Sequence, residues 1–196
     1  MLNQNTLRII VVGASEGSFK ALIDILAPLT ADFPLPIVVV RHQSVDTTDY
    51  LIKSLRNECQ LQVKFAEMNE KPQPGTVYIA PPDRHLVIGM QGELELSRSD
   101  PVNFSRPSIE PLFKSAAVCY GSGVLAMVLT GANDDGMEGL IEIKKRGGKV
   151  LVQDPASAQA DTMPIAAINA VNVDHVVWLS EIGPFLWDLT RPKQPD

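Results

Sequence analysis

The run Ile37-Val38-Val39-Val40 has no polar residue on either of its two alternating faces. A strand of this kind needs cover on both sides, as a central strand does in a parallel sheet with helices above and below it. Ile9-Ile10-Val11-Val12 and Val124-Leu125-Ala126-Met127-Val128-Leu129 are comparable runs. Between them lie stretches with helical spacing: Phe19, Leu22, Ile23 and Leu26, then Tyr50, Leu51 and Leu55, then Ile109, Leu112, Phe113, Ala116 and Ala117, then Met137, Leu140 and Ile141. Alternating strands and helices predict an α/β fold with a largely parallel sheet.

Local signals sharpen this outline. The first helix, after Ser15, is expected to end near Pro28. Asp46-Thr47-Thr48-Asp49 offers a cap to the second. Val63-Lys64-Phe65-Ala66 and Val77-Tyr78-Ile79-Ala80 read as short strands. Leu86-Val87-Ile88, Gln91-Gly92 and Leu94-Glu95-Leu96 read as an antiparallel hairpin. Pro107 suits the first turn of the next helix, Gly121 its end, and Ser180 the cap of a terminal helix. Residues 1–190 are expected to form one domain, and 191–196 a frayed tail.

Composition narrows the partners. The net charge is −6 over 196 residues with no basic cluster, which argues against nucleic acid and anionic membrane. No apolar run approaches the roughly 20 residues that span a bilayer, and the N-terminus lacks a signal-peptide pattern. Cys59 and Cys119 are far apart and read as core thiols of a reducing, cytoplasmic setting. Three scattered histidines without HxH or HExxH spacing argue against a metal, and no cofactor motif is present.

The chemistry is expected where strands end, because open parallel sheets bind ligands outside their carboxyl edge. Gly13-Ala14-Ser15-Glu16-Gly17 fits the strand–turn–helix pattern that exposes a nucleophilic serine. His42 stands at the tip of the second strand, and Asp134-Asp135 follows the strand over 124–130. Hydroxyl, imidazole and carboxylate on one edge are the inventory of a Ser-His-Asp triad. Each has a structural alternative. Ser15 can cap its helix, His42 can bond a backbone carbonyl, and Asn133-Asp134-Asp135-Gly136 can be a plain turn. His85 reads as structural or at the rim, with Asp83 and Arg84 satisfying each other, and His175 as a strand-edge residue.

Several segments together resemble the catalytic domain of the bacterial chemotaxis protein-glutamate methylesterase (CheB-type) family. They are Val12-Gly13-Ala14-Ser15 with Gly17, Arg41-His42, Tyr78-Ile79-Ala80-Pro81-Pro82-Asp83-Arg84-His85-Leu86 and Arg106-Pro107-Ser108-Ile109 with Leu112-Phe113 and Ser115. Further on come Leu129-Thr130-Gly131 with Asp135-Gly136, Gln153-Asp154-Pro155-Ala156-Ser157 and Met163-Pro164. The resemblance implies a doubly wound three-layer sandwich, mostly parallel, with one antiparallel hairpin. It puts the nucleophile on Ser15, the base on His42 and the acid on Asp135. It implies hydrolysis of γ-glutamyl methyl esters on chemoreceptor helices and deamidation of some receptor glutamines, without metal or cofactor.

The chain departs from the family pattern on the expected substrate side. Glu16 replaces the usual threonine, Ser18 a glycine, Arg41 a glutamine, and Gln43-Ser44 a Met-Pro pair. Ala132-Asn133-Asp134 stands for Met-Gly-Asn, and Gln159-Ala160-Asp161-Thr162 replaces an apolar loop before Met163, which is expected on the substrate side with Glu16, Arg41 and Ala132. The family's receiver domain is expected to be missing, with a separate regulator in its place. Backbone N–H groups of Glu16 and Ala132 are the expected oxyanion donors, each worth about 3 kcal/mol at the transition state. The Glu16 carboxylate is expected to point outward or to pair with Arg41. Two other readings follow from the departures: a catalytically weak binding module in a signalling complex, and an esterase acting on another ester.

Overall fold

The computed structural model describes residues 7–42 and 48–190, without the side chains of Thr48 and Asp49. The expected frayed tail at 191–196, Gln43-Ser44, Asp46-Thr47 and the capping side chains of Thr48 and Asp49 lie outside what is described.

Seven strands form one parallel sheet: β1 (Ile9–Ala14), β2 (Ile37–Arg41), β3 (Gln62–Phe65), β4 (Thr76–Ile79), β7 (Val124–Val128), β8 (Lys149–Gln153) and β9 (His175–Val177), with β5 (His85–Ile88) and β6 (Leu94–Ser97) forming a separate antiparallel hairpin. The sheet order is β3-β4-β2-β1-β7-β8-β9. Both short strands of the middle region, β3 and β4, therefore join the parallel sheet. The chain leaves β1 towards β2 on one side and later returns to β7 on the other, so the order reverses at β1. Doubly wound folds open a crevice at such a switch point.

The two faces of the central strands bury into separate cores. Ile10, Val12, Val39, Met127 and Leu151 pack under α1 (Ser18–Leu26), α2 (Thr48–Glu58) and α6 (Leu179–Thr190). Ile9, Val11, Val38, Ala126 and Val150 pack under α3 (Ile109–Tyr120), α4 (Met137–Lys145), α5 (Thr162–Ala170) and the hairpin. Alternate side chains of one strand thus feed opposite layers, which accounts for runs with no polar face.

Glycine sets how closely α3 approaches the sheet edge. A Cβ on Gly13 would lie 2.6 Å from Cγ2 of Ile109, and one on Gly136 (φ +94°) would lie 2.6 Å from the same atom. The start of α3 is therefore seated against both the end of β1 and the loop after β7.

Three local expectations need correction. Pro107 lies outside α3: Ser108 is the N-cap, and its hydroxyl accepts the Glu110 N–H. A side-chain oxygen satisfies an orphan helix donor, which a proline ring cannot do. Ser180 falls inside α6, whose first turn closes when the Glu181 N–H donates to the Trp178 carbonyl. Asp83 pairs with Arg106, at 2.9 Å from Nε and 2.5 Å from Nη2, and not with Arg84. The planar guanidinium of Arg106 reaches across from the loop before α3 and sets two of its N–H donors on the carboxylate.

Cys59 and Cys119 are half-buried free thiols. Burial and the nearby Glu58 push the Cys59 thiol up to about 11, so it is not a thiolate at neutral pH.

Candidate active site

Register alone brings Ser15 and His42 together. Ala14 pairs with Arg41 across the parallel β1–β2 ladder, so the next residue of each strand emerges side by side. The His42 N–H donates to the Ala14 carbonyl at 3.2 Å, and the Ser15 N–H to the Thr130 carbonyl at 2.9 Å. Backbone bonds to both neighbouring strands thus fix the serine.

The turn after Ser15 leaves its hydroxyl free for chemistry. Gly17 is the N-cap of α1 at φ 78°, and no side chain caps the helix. Ser15 is therefore not a helix cap. Its Oγ lies 3.2 Å from His42 Nδ1. Thr130 pins the same turn: its Oγ1 donates to the Glu16 carbonyl at 2.8 Å and accepts the Ala160 N–H at 2.9 Å. Met163 is fully buried, and its sulfur lies 2.9 Å from where a Gly131 Cβ would be, with Ser15 Cβ 3.0 Å from that point.

The other ring nitrogen, His42 Nε2, donates to Asp135 Oδ2 at 2.8 Å. Asp135 is only 2% exposed and accepts three further bonds. The Ile109 N–H reaches Oδ2 at 2.6 Å, while Asn103 Nδ2 and Ser108 Oγ each reach Oδ1 at 2.8 Å. Burial pushes the Asp135 pKa up, but the bonds from His42, Asn103, Ile109 and Ser108 outweigh it and hold the pKa below its ordinary value. The carboxylate stays ionised and aimed at the imidazole. Asp134 is exposed.

His85 is buried and holds this arrangement from behind. Its Nδ1 accepts the Ser108 N–H at 3.2 Å and its Nε2 donates to the Asp100 carbonyl at 3.1 Å, so it is a structural histidine. His175 starts the edge strand β9 and packs against Phe185.

Ser15 and His42 open onto a hollow of about 400 Å³, also lined by Glu16, Phe19, Arg41 and Gln159. Glu16 is exposed, and among the described residues its carboxylate makes no ion pair. It does not pair with Arg41, whose Nε donates to Ser18 Oγ at 3.2 Å. Parallel pairing carries the Arg41 side chain towards the buried first residue of α1, while the Glu16 side chain leaves the turn into solvent. Burial lowers the Arg41 pKa from its ordinary value. The N–H groups of Glu16 and Ala132 have no acceptor among the described residues. Both are available to a developing oxyanion.

Asn103, Ser108 and Asn133 have no role in the triad expected from sequence; Asn133 stands there only as a turn residue and a departure, and Ser108 only as part of a family-like segment. Ser108 had a readable signal, a serine before an apolar helical run with an acidic residue two places on. Asn133 accepts the Asp135 N–H on Oδ1 at 3.2 Å, and its Nδ2 lies 3.0 Å from His42 Nδ1. Among the described residues no group of three or more His, Cys, Asp or Glu side chains could hold a metal ion, and no helix is long and apolar enough to cross a membrane.

The family model described as CheB methylesterase matches residues 10–186, a span that holds Ser15, His42 and Asp135 together with every strand from β2 to β9. The chain belongs to the CheB methylesterase family. A Leptospira interrogans relative, provisionally described as a protein-glutamate methylesterase/protein-glutamine glutaminase, is 41% identical over 174 residues, covering 89% of this chain and 90% of the relative. A Myxococcus xanthus protein-glutamate methylesterase/protein-glutamine glutaminase is 40% identical over 183 residues, and the match covers 93% of this chain but only 52% of that protein. The chain therefore spans about half the length of that relative. The crystal structure of the Thermotoga maritima CheB methylesterase catalytic domain superposes with a TM-score of 0.90 at 35% identity, covering 94% of this chain and 99% of that one. The seven-stranded parallel sheet with its separate hairpin is thus the fold of a CheB catalytic domain.

Proposed function

We propose that the chain is a protein-glutamate methylesterase that works by acyl transfer through Ser15, His42 and Asp135. The observation that carries the reading is one imidazole set between two partners, 3.2 Å from the Ser15 hydroxyl and 2.8 Å from the Asp135 carboxylate. His42 Nδ1 takes the Ser15 proton as Oγ attacks the carbonyl carbon of a γ-glutamyl methyl ester. The N–H groups of Glu16 and Ala132 face the tetrahedral oxyanion. Collapse breaks the bond to the methoxy oxygen, and His42 returns the proton so that methanol leaves. Water, activated by the same imidazole, then releases the glutamate side chain. Asp135 stabilises the imidazolium in both halves.

A glutamine side chain can enter the same cycle with ammonia as the leaving group. That fits the glutaminase activity in the relatives' descriptions. The substrate class is a protein side chain, of the kind carried by methylated chemoreceptors. The open hollow beside Ser15 suits a side chain presented from a larger body.

Ser15→Ala tests the reading. It is expected to abolish methanol release from methylated receptor while the melting temperature stays nearly unchanged. Retained release would remove Ser15 from the reaction.

A further inference from the structure

The lone pair of His42 Nδ1 is contested. Asn133 Oδ1 accepts the Asp135 N–H, so its amide must present the NH2 group to the ring. That group lies 3.0 Å from Nδ1, closer than the Ser15 hydroxyl at 3.2 Å. With Nε2–H donated to Asp135, Nδ1 carries the only lone pair of the neutral ring. Two donors therefore face one acceptor. The bonds also close a circuit, in which the Asp135 N–H holds Asn133, Asn133 holds Nδ1, and Nε2 returns to the Asp135 carboxylate.

Asn133 favours one protonation state of the ring. Its NH2 can donate to an unprotonated Nδ1, whereas in the imidazolium the Nδ1–H would point at another donor. General-base catalysis runs through that imidazolium, and an interaction stronger in the ground state than in the transition state raises the barrier. We propose that Asn133 is a positioning residue that holds the base in reserve, so that Ser15 is activated only when its hydroxyl displaces the Asn133 amide from Nδ1. Asn133 lines a second hollow with Asp134, Asp161, Thr162, Ile165 and Asn169, into which the released amide can turn.

This inference rests on Ser15 being the nucleophile, so the test reads Ser15 directly with a fluorophosphonate probe and not through receptor turnover. Asn133→Ala is expected to label about two- to tenfold faster than wild type, the worth of one neutral hydrogen bond. Asn133→Asp keeps the acceptor for the Asp135 N–H but sets a carboxylate against Nδ1, which draws a proton onto it. That variant is expected to label at least about tenfold slower, since the base has lost its lone pair. Nitrogen-15 NMR of the histidine ring is expected to show an unprotonated Nδ1 in wild type and Asn133→Ala, and a protonated one in Asn133→Asp. If Asn133 only braces the loop through Oδ1, the order inverts: Asn133→Asp matches wild type and Asn133→Ala is slower, which overturns the proposal. Wild-type protein that never labels overturns the nucleophile itself and this inference with it.

Discussion

The backbone N–H of Ile109 donates to Oδ2 of Asp135 at 2.6 Å, so the first residue of α3 and the acid beside His42 share a hydrogen bond. Ser108, the cap of the same helix, holds the other oxygen at 2.8 Å. A carboxylate at a helix N-terminus meets unpaired N–H groups and the positive end of the helix dipole. The site is thereby joined to the core under α3.

Ser108→Ala tests that joint. The variant removes a buried bond to a carboxylate and the helix cap together. A loss of about 2–4 kcal/mol in urea unfolding is expected, with a fall in ester hydrolysis. A stability change within about 0.5 kcal/mol, the size of an ordinary surface substitution, would mean that the helix start is held by other contacts.

The lowered Asp135 pKa gives stability a direction with pH. A carboxyl whose native pKa is depressed contributes fully above its unfolded-chain value, about 3.9, and loses that contribution as pH falls through the native value. Asp135→Asn cannot titrate. The gap in stability between wild type and Asp135→Asn is expected to be widest near neutral pH and to close in acid, as read from thermal melts over a pH series. A gap independent of pH would show that the charge does not stabilise the fold.

Gly13→Ala places a methyl 2.6 Å from Cγ2 of Ile109, a stiff β-branched position. The expected cost is about 1–3 kcal/mol of stability. Because Ile109 also donates to Asp135, esterase activity should fall in the folded protein as well, measured well below its melting temperature. Full activity at reduced stability would show that the acid does not follow α3.

Thr130→Val keeps the shape but removes the hydroxyl that ties the Glu16 carbonyl to the Ala160 loop. A kcat lower by about 10–100-fold is expected, since small misplacements of a nucleophile are costly. KM should change little. An unaltered kcat would assign the turn's geometry to the strand bonds alone.

Much of this was legible in the chain because it is local. Apolar runs without a polar face mark central strands, and the small-residue turn at Gly13–Gly17 marks a sharp strand-to-helix exit. Ser15, His42 and Asp135 each follow a strand, so the shared edge follows from the alternation. Ser108 was legible as a helix cap, but neither it nor Asn103 was legible as a partner of Asp135. Asn103 and Ser108 lie 32 and 27 positions away, on a loop whose approach depends on glycines that a periodicity count treats as breaks. Of the two expectations for Glu16, the outward side chain is met and the pair with Arg41 is not. Charge suggests a partner, but the register of β1 and β2 sets where Arg41 leaves its strand, and Glu16 leaves the turn beyond β1 into solvent.

Ser15 and Asp135 differ in what else depends on them. The serine hydroxyl meets one ring nitrogen, whereas the acid also fastens a helix and the loop that leads into it. With Ser15 as the proposed nucleophile, mutation is expected to silence the chemistry at a single oxygen and leave a sound fold, and not to discard the acid as cheaply. In a lineage drifting towards inactivity the serine is therefore expected to vanish first and the aspartate to persist as a relic of architecture. When related chains are compared for lost function, an intact acid says little, and the presence or loss of the serine is the informative difference.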